Sequence, residues 1–121
     1  MIYKTTKQHF EIFKKNCQKW INIFGLKEWR VDFRHGTYSE HSYGSIYWDY
    51  SGKCATIYLT EEWDEEVDLK QLEKTAFHEV CELLLCVLFD MVDKDKYSYD
   101  EKVKEFHTVI RRLENSVFDK F

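Results

Sequence analysis

Between Asp68 and Met91 the chain changes character part-way along one helical stretch, and that change limits the folds open to it. Asp68-Leu69-Lys70-Gln71 has the form of a capping box, an N-cap acceptor with Gln three residues on. Up to Glu82 the stretch carries polar residues at helical spacing. From Leu83 to Phe89 it is apolar at every position. A helix that turns apolar all round has to be surrounded, so this one is expected at the centre of the molecule with other elements on more than one side. The same run is too short to span a bilayer, and no membrane is expected as a partner. At 121 residues and 14.8 kDa there is chain for one core, so residues 1–121 read as a single domain.

The remaining elements follow from periodicity. Phe10, Phe13, Cys17, Trp20, Ile21 and Phe24 recur at three- and four-residue steps, which predicts an amphipathic helix over Thr6 to Phe24. Gly25 stands where a left-handed C-terminal cap is expected. Trp29, Val31, Phe33 and His35 alternate with Arg30, Asp32 and Arg34, the pattern of a half-buried strand. Gly36 to Ser42 reads as loop. Two further strands are predicted over Tyr43 to Asp49 and Cys54 to Leu59, joined by a hairpin turn at Tyr50-Ser51-Gly52-Lys53. After an acidic connection (Glu61 to Asp68) and the central helix comes a charged loop, Asp93-Lys94-Asp95-Lys96. A last helix then runs from Tyr99 to about Phe118, with Val103, Phe106, Ile110, Leu113 and Val117 on its inner face. The expected class is α+β in two layers: N-terminal helix, three-stranded antiparallel sheet, central helix and C-terminal helix.

Charge narrows the function classes. Eighteen Lys and Arg against 22 Asp and Glu leave a net charge of −4 with no basic block, which argues against a nucleic-acid partner. The N-terminus shows no apolar stretch followed by small residues, so no secretory signal is visible and a cytoplasmic location is expected. Cys17, Cys54, Cys81 and Cys86 form no C-x-x-C pair and are expected as reduced thiols, mostly buried.

One constellation carries chemistry. In His78-Glu79-Val80-Cys81-Glu82 the first and last residues are one helical turn apart on the same face, so both can point at one metal ion. Glu79 lies about 100° round the helix, within reach of a water on that metal. The pattern is a variant of H-E-x-x-H, in which two helix residues hold Zn²⁺ and the Glu acts as general base. Here Glu82 replaces the second His, and carboxylate oxygen is an ordinary zinc ligand. A plainer alternative is a wet helix face, since Lys70, Lys74, His78 and Glu82 form an i+4 stripe. The composition yields an H-E-x-x-E match by chance roughly 0.06 times. Against the plain alternative stands the apolar continuation, beside which a His and two Glu would be partly desolvated and in need of a partner or a metal.

The last helix is the expected source of a third ligand: His107 at the edge of its apolar face, or Glu105 beside Lys102 and Lys104. With His107 the set is two imidazoles and a carboxylate, an accepted hydrolytic set that also suits non-haem iron; with Glu105 it is doubly anionic and poorer for generating hydroxide. His35 and His41 flank the loop after the first strand and are weaker candidates.

With these residues in view the chain resembles the small zincin-like metallopeptidases of phages and prophages, distant relatives of the SprT-like and ImmA/IrrE-type minimal zinc proteases. Trp29-Arg30-Val31 carries part of the resemblance. Ala55-Thr56-Ile57-Tyr58-Leu59 with Trp63, leading into Thr75 to Val80, carries most of it, and Val109 to Asn115 the rest. The resemblance implies a zincin-like fold and a Zn²⁺ cofactor held by His78, the Glu82 position (usually His in the family) and the cluster before Val109, here Glu105 or His107. It implies Glu79 as catalytic base in hydrolysis of a peptide or protein substrate. The strand from Cys54 to Leu59 is expected to align that peptide, and Tyr58 or Tyr47 is a candidate for steadying the oxyanion. The competing expectation is an inactive zincin-like phage protein used as a protein-binding module, its acidic Glu61-Glu62 and Asp64-Glu65-Glu66 surface facing a basic partner.

Overall fold

The structure, a computed structural model, describes residues 1–37, 42–91 and 98–121. His41 and the charged loop at 93–96 lie outside the described residues. The chain opens with a short strand β1 (Tyr3–Lys4) and helix α1 (Lys7–Ile23). Thr6 caps α1, its hydroxyl accepting from the His9 amide at 3.1 Å while His9 Nδ1 accepts from the Thr6 amide. At the other end Gly25 takes φ +68°, the left-handed conformation that ends the helix.

Strands β2 (Arg30–His35), β3 (Gly44–Asp49) and β4 (Cys54–Leu59) form one sheet, and a two-residue strand β5 (Glu62–Trp63) pairs antiparallel with β1. The hairpin turn falls at 50–53 as its sequence suggests. Asp49 accepts from the Ser51 hydroxyl and the Gly52 amide, and Lys53 adopts φ 52° to bring the chain back.

The sheet is mixed, which corrects the antiparallel expectation. Its order is β2-β4-β3, with β4 antiparallel to β3 and parallel to β2. The three strands still run up, down and up. Because β4 returns into the gap between the first two, the two strands that run the same way become neighbours. The hydrophobic alternation is blind to this, since the same residues face inward whichever neighbour a strand takes.

Helix α2 (Leu69–Met91) is the central element, packed against α1, β3 and helix α3 (Tyr99–Glu114). Only half of its capping box forms. Asp68 accepts from the Gln71 amide at 2.8 Å, but the Gln71 side chain turns to the Thr75 hydroxyl instead of reaching back. Helix α3 stops at Glu114, short of the expected Phe118. Asn115 is its C-cap, and a 3-10 turn at Phe118–Lys120 follows. Its N-terminus carries a complete capping box between Ser98 and Glu101.

The core lies between the helices and one face of the sheet. Phe13, Cys17 and Trp20 of α1 join Ala55, Ile57 and Leu59 of β4 and Leu72, Ala76, Phe77, Val80, Cys81, Leu83 and Cys86 of α2. Trp20 meets Phe77 edge-on with ring centroids 4.6 Å apart. None of the four cysteines is in a disulfide, and three of them are buried. No helix among the described residues is long and apolar enough to cross a membrane.

Candidate metal centre

The polar side of α2 faces α3. His78, Glu82 and His107 each offer one ligand atom, and these atoms lie within 4.8 Å of one another. Helical spacing explains the first two and the packing of α3 on α2 supplies the third; the His78 and His107 rings meet edge-on at 5.2 Å. His78 Nε2 is 3.1 Å from Glu82 Oε2. Of the two expected third ligands the fold brings in His107. Glu105 stays outside the group, exposed beside a groove of about 660 Å³ that Leu85, Leu88, Phe89, Phe106 and Val109 line between α2 and α3.

A residue that sequence reasoning passed over completes the cluster. Glu114, only 8% exposed, places Oε2 3.4 Å from His78 Nδ1. The signal for it was present in the chain. Glu114 is seven residues, two turns, beyond His107 on the same helix face, and it interrupts the apolar series Ile110, Leu113, Val117.

Glu79 lies between this group and strand β3, its carboxyl in hydrogen-bonding contact with the Glu82 side chain. It is 4% exposed, and its Oε1 has no hydrogen-bond partner. The approach of β3 is what encloses it. A Cβ on Gly44 would sit 3.0 Å from Thr75 Cγ2, 3.1 Å from the Tyr58 carbonyl oxygen and 3.5 Å from Glu79 Cγ, so the strand comes this close to α2 only with glycine there.

The electrostatics of the cluster are uneven. Burial pushes the Glu79 carboxyl well above the ordinary carboxylate range and Glu82 pushes it further, while His78 pulls the other way. Burial alone would depress the His78 imidazole, but hydrogen bonds to Glu114 and Glu82 outweigh it and carry the pKa up to about 10. His107 is lowered, chiefly by burial, and stays a neutral imidazole, the form in which histidine binds metals. Two imidazoles and a carboxylate fit Zn²⁺ as a donor set. A cation there would take the place of the proton on His78 Nε2, since one nitrogen lone pair serves only one of them.

Other expected contributors fall elsewhere. Strand β4 is the middle strand, its main chain engaged on both sides, so it cannot take up an extended peptide; β3 is the edge strand beside α2. Ile57 is fully buried against the helices and Gly44 faces Thr75. Alternation therefore puts Tyr58 and Tyr47 on the opposite face of the sheet, away from Glu79. His35 is bound into the fold, its Nε2 2.7 Å from the Thr5 hydroxyl and its ring stacked on Phe10. The residues of the acidic stretch, Glu61, Glu62, Asp64, Glu65 and Glu66, are all exposed, with Asp64 accepting from the Tyr43 hydroxyl.

No family model, curated protein or solved structure matches this chain.

Proposed function

We propose that this chain is a zincin-like, zinc-dependent metallopeptidase, with His78, Glu82 and His107 as metal ligands and Glu79 as general base. One observation carries the reading: three donors of a suitable zinc set converge from two helices, and beside them stands a buried carboxylate with an unpartnered oxygen. When bound, Zn²⁺ supplies a Lewis acid that polarises a carbonyl and brings the pKa of water down to about 7.

The chain's own groups do the rest. His107, neutral, offers its lone pair directly. Glu82 is anionic and donates more charge than the imidazole usual at its position, which tempers the acidity of the metal. Glu79, with its basicity raised by burial and by Glu82, accepts a proton at Oε1 and returns it to the leaving amine. The outer side of β3 has no strand partner among the described residues, and this edge, in place of β4, would align an extended peptide by main-chain hydrogen bonds. The substrate is thus a peptide or protein segment able to lie extended beside α2.

The competing reading, an inactive zincin-like fold serving as a protein-binding module, draws on one observation. His78 is already satisfied by Glu82 and Glu114 as an ion-paired imidazolium. Elemental analysis after zinc loading and gel filtration separates the two. Near-stoichiometric zinc in the wild type, lost in His78→Ala, supports the metallopeptidase. A folded wild-type protein that retains no zinc leaves only the binding module.

A further inference from the structure

We infer that Glu114 is a positioning residue: by accepting the Nδ1–H of His78 it fixes the ring so that Nε2 is the nitrogen presented to a divalent cation. The inference rests on the reading of His78, Glu82 and His107 as the metal site. It adds a residue from α3 that no ligand pattern contains.

The two nitrogens of His78 face different carboxylates, Nε2 toward Glu82 at 3.1 Å and Nδ1 toward Glu114 at 3.4 Å. Nitrogens on an imidazole point away from each other, so one ion cannot sit on both. The converging group contains Glu82 and His107 and omits Glu114, which identifies Nε2 as the metal side and Nδ1 as the side that must keep its proton. A His with a fixed Nδ1–H offers its Nε2 lone pair in a single tautomer and orientation, and a carboxylate behind it makes that lone pair more basic.

Burial supports the assignment. Ile110 and Glu114 are the two buried residues of α3, and an isoleucine there needs no explanation. A carboxylate at 8% exposure costs free energy unless something specific holds it, and His78 is the partner in place. The same contact makes α3 part of the site twice over, through His107 as ligand and through Glu114 behind His78. Docking of α3 on α2 and metal affinity are therefore coupled.

The test uses the whole chain and zinc alone, with affinity read by competition against a chromogenic chelator. Glu114→Ala should weaken zinc binding by about 10–100-fold, the usual cost of losing such a partner. Glu114→Gln, which keeps an acceptor for Nδ1–H, should recover most of that loss. A second readout needs no variant: in ¹⁵N-histidine spectra of the zinc-loaded wild type, His78 should show a protonated Nδ1 and an unprotonated Nε2. Zinc affinity in folded Glu114→Ala within twofold of wild type overturns the inference, as does the reverse His78 tautomer. Both leave the metal site standing. A wild type that binds no zinc at all removes the metal site and Glu114's role together, so the two failures are distinguishable.

Discussion

Helix α2 has two faces that obey different rules. Toward α1 and the sheet it presents Leu72, Ala76, Phe77, Val80 and Leu83, each no more than 1% exposed and each apolar. Toward α3 and β3 it presents His78, Glu79 and Glu82, with Glu114 closing in from the neighbouring helix. The first face gains by removing hydrocarbon from water. The second brings three carboxyl groups and an imidazole into one small volume, where desolvation offsets much of the attraction between them. A chain under no demand but stability would do as well with leucines there. Under the proposed function the contrast divides folding from chemistry, and each half of that division can be broken separately.

The largest expected effect is on the apolar face. Phe77 is fully buried, with Trp20, Phe24 and Phe118 around its ring. Phe77→Ala should cost about 3–5 kcal/mol of unfolding free energy in denaturant titration. That is a large share of the roughly 5–15 kcal/mol a domain of this kind has. A loss under 1 kcal/mol would mean that the α1–α2 face is not where the stability resides.

What the chain disclosed and what it hid divide along the same line. Elements set by local pattern were legible. Helix α1, the Gly25 stop and strand β4 from Cys54 to Leu59 lie where periodicity and turn chemistry put them. The choice between His107 and Glu105 stayed open in the sequence, because it takes the packing of α3 on α2 to bring His107 against His78 and leave Glu105 exposed. Strand order was not legible, for β2 carries the same alternation beside β4 as it would beside β3. Glu114 lay between. Its two-turn spacing from His107 was visible, but a glutamate near the end of a helix reads as solvated until a partner helix is known to cover it.

A smaller effect should appear as pH dependence of the metal-free protein. The folded pKa of His78, about 10, exceeds its unfolded value near 6.5. Its contribution is therefore complete below about pH 6.5 and is lost as pH rises through the folded value. Glu79 acts with the same sign from about pH 4.5 upward, since its folded pKa is also raised and ionisation is penalised more in the folded state. Unfolding free energy in the presence of a chelator should fall by on the order of 2 kcal/mol between pH 6 and 9. His78→Gln should flatten most of that slope. Stability that instead rises over this range would mean that the polar seam does not hold His78 as an imidazolium.

The smallest effect on stability should come from Glu79→Gln, and it has the opposite sign to the loss at Phe77. The carboxylate is buried with one oxygen unpartnered and with Glu82 repelling it. Gln has nearly the same shape and no charge to desolvate, so the metal-free variant should unfold about 1 kcal/mol later than wild type at pH 8. Zinc content should be unchanged, because Glu79 is not among the converging donors. Peptide hydrolysis should fall by about 10²–10⁴-fold, since the amide cannot take up a proton. Greater stability with lost turnover is what a residue kept for chemistry at a cost to folding must show. Lower stability in Glu79→Gln would make Glu79 a structural partner of His78, and the division of α2 into a folding face and a chemical face would fail at its central residue.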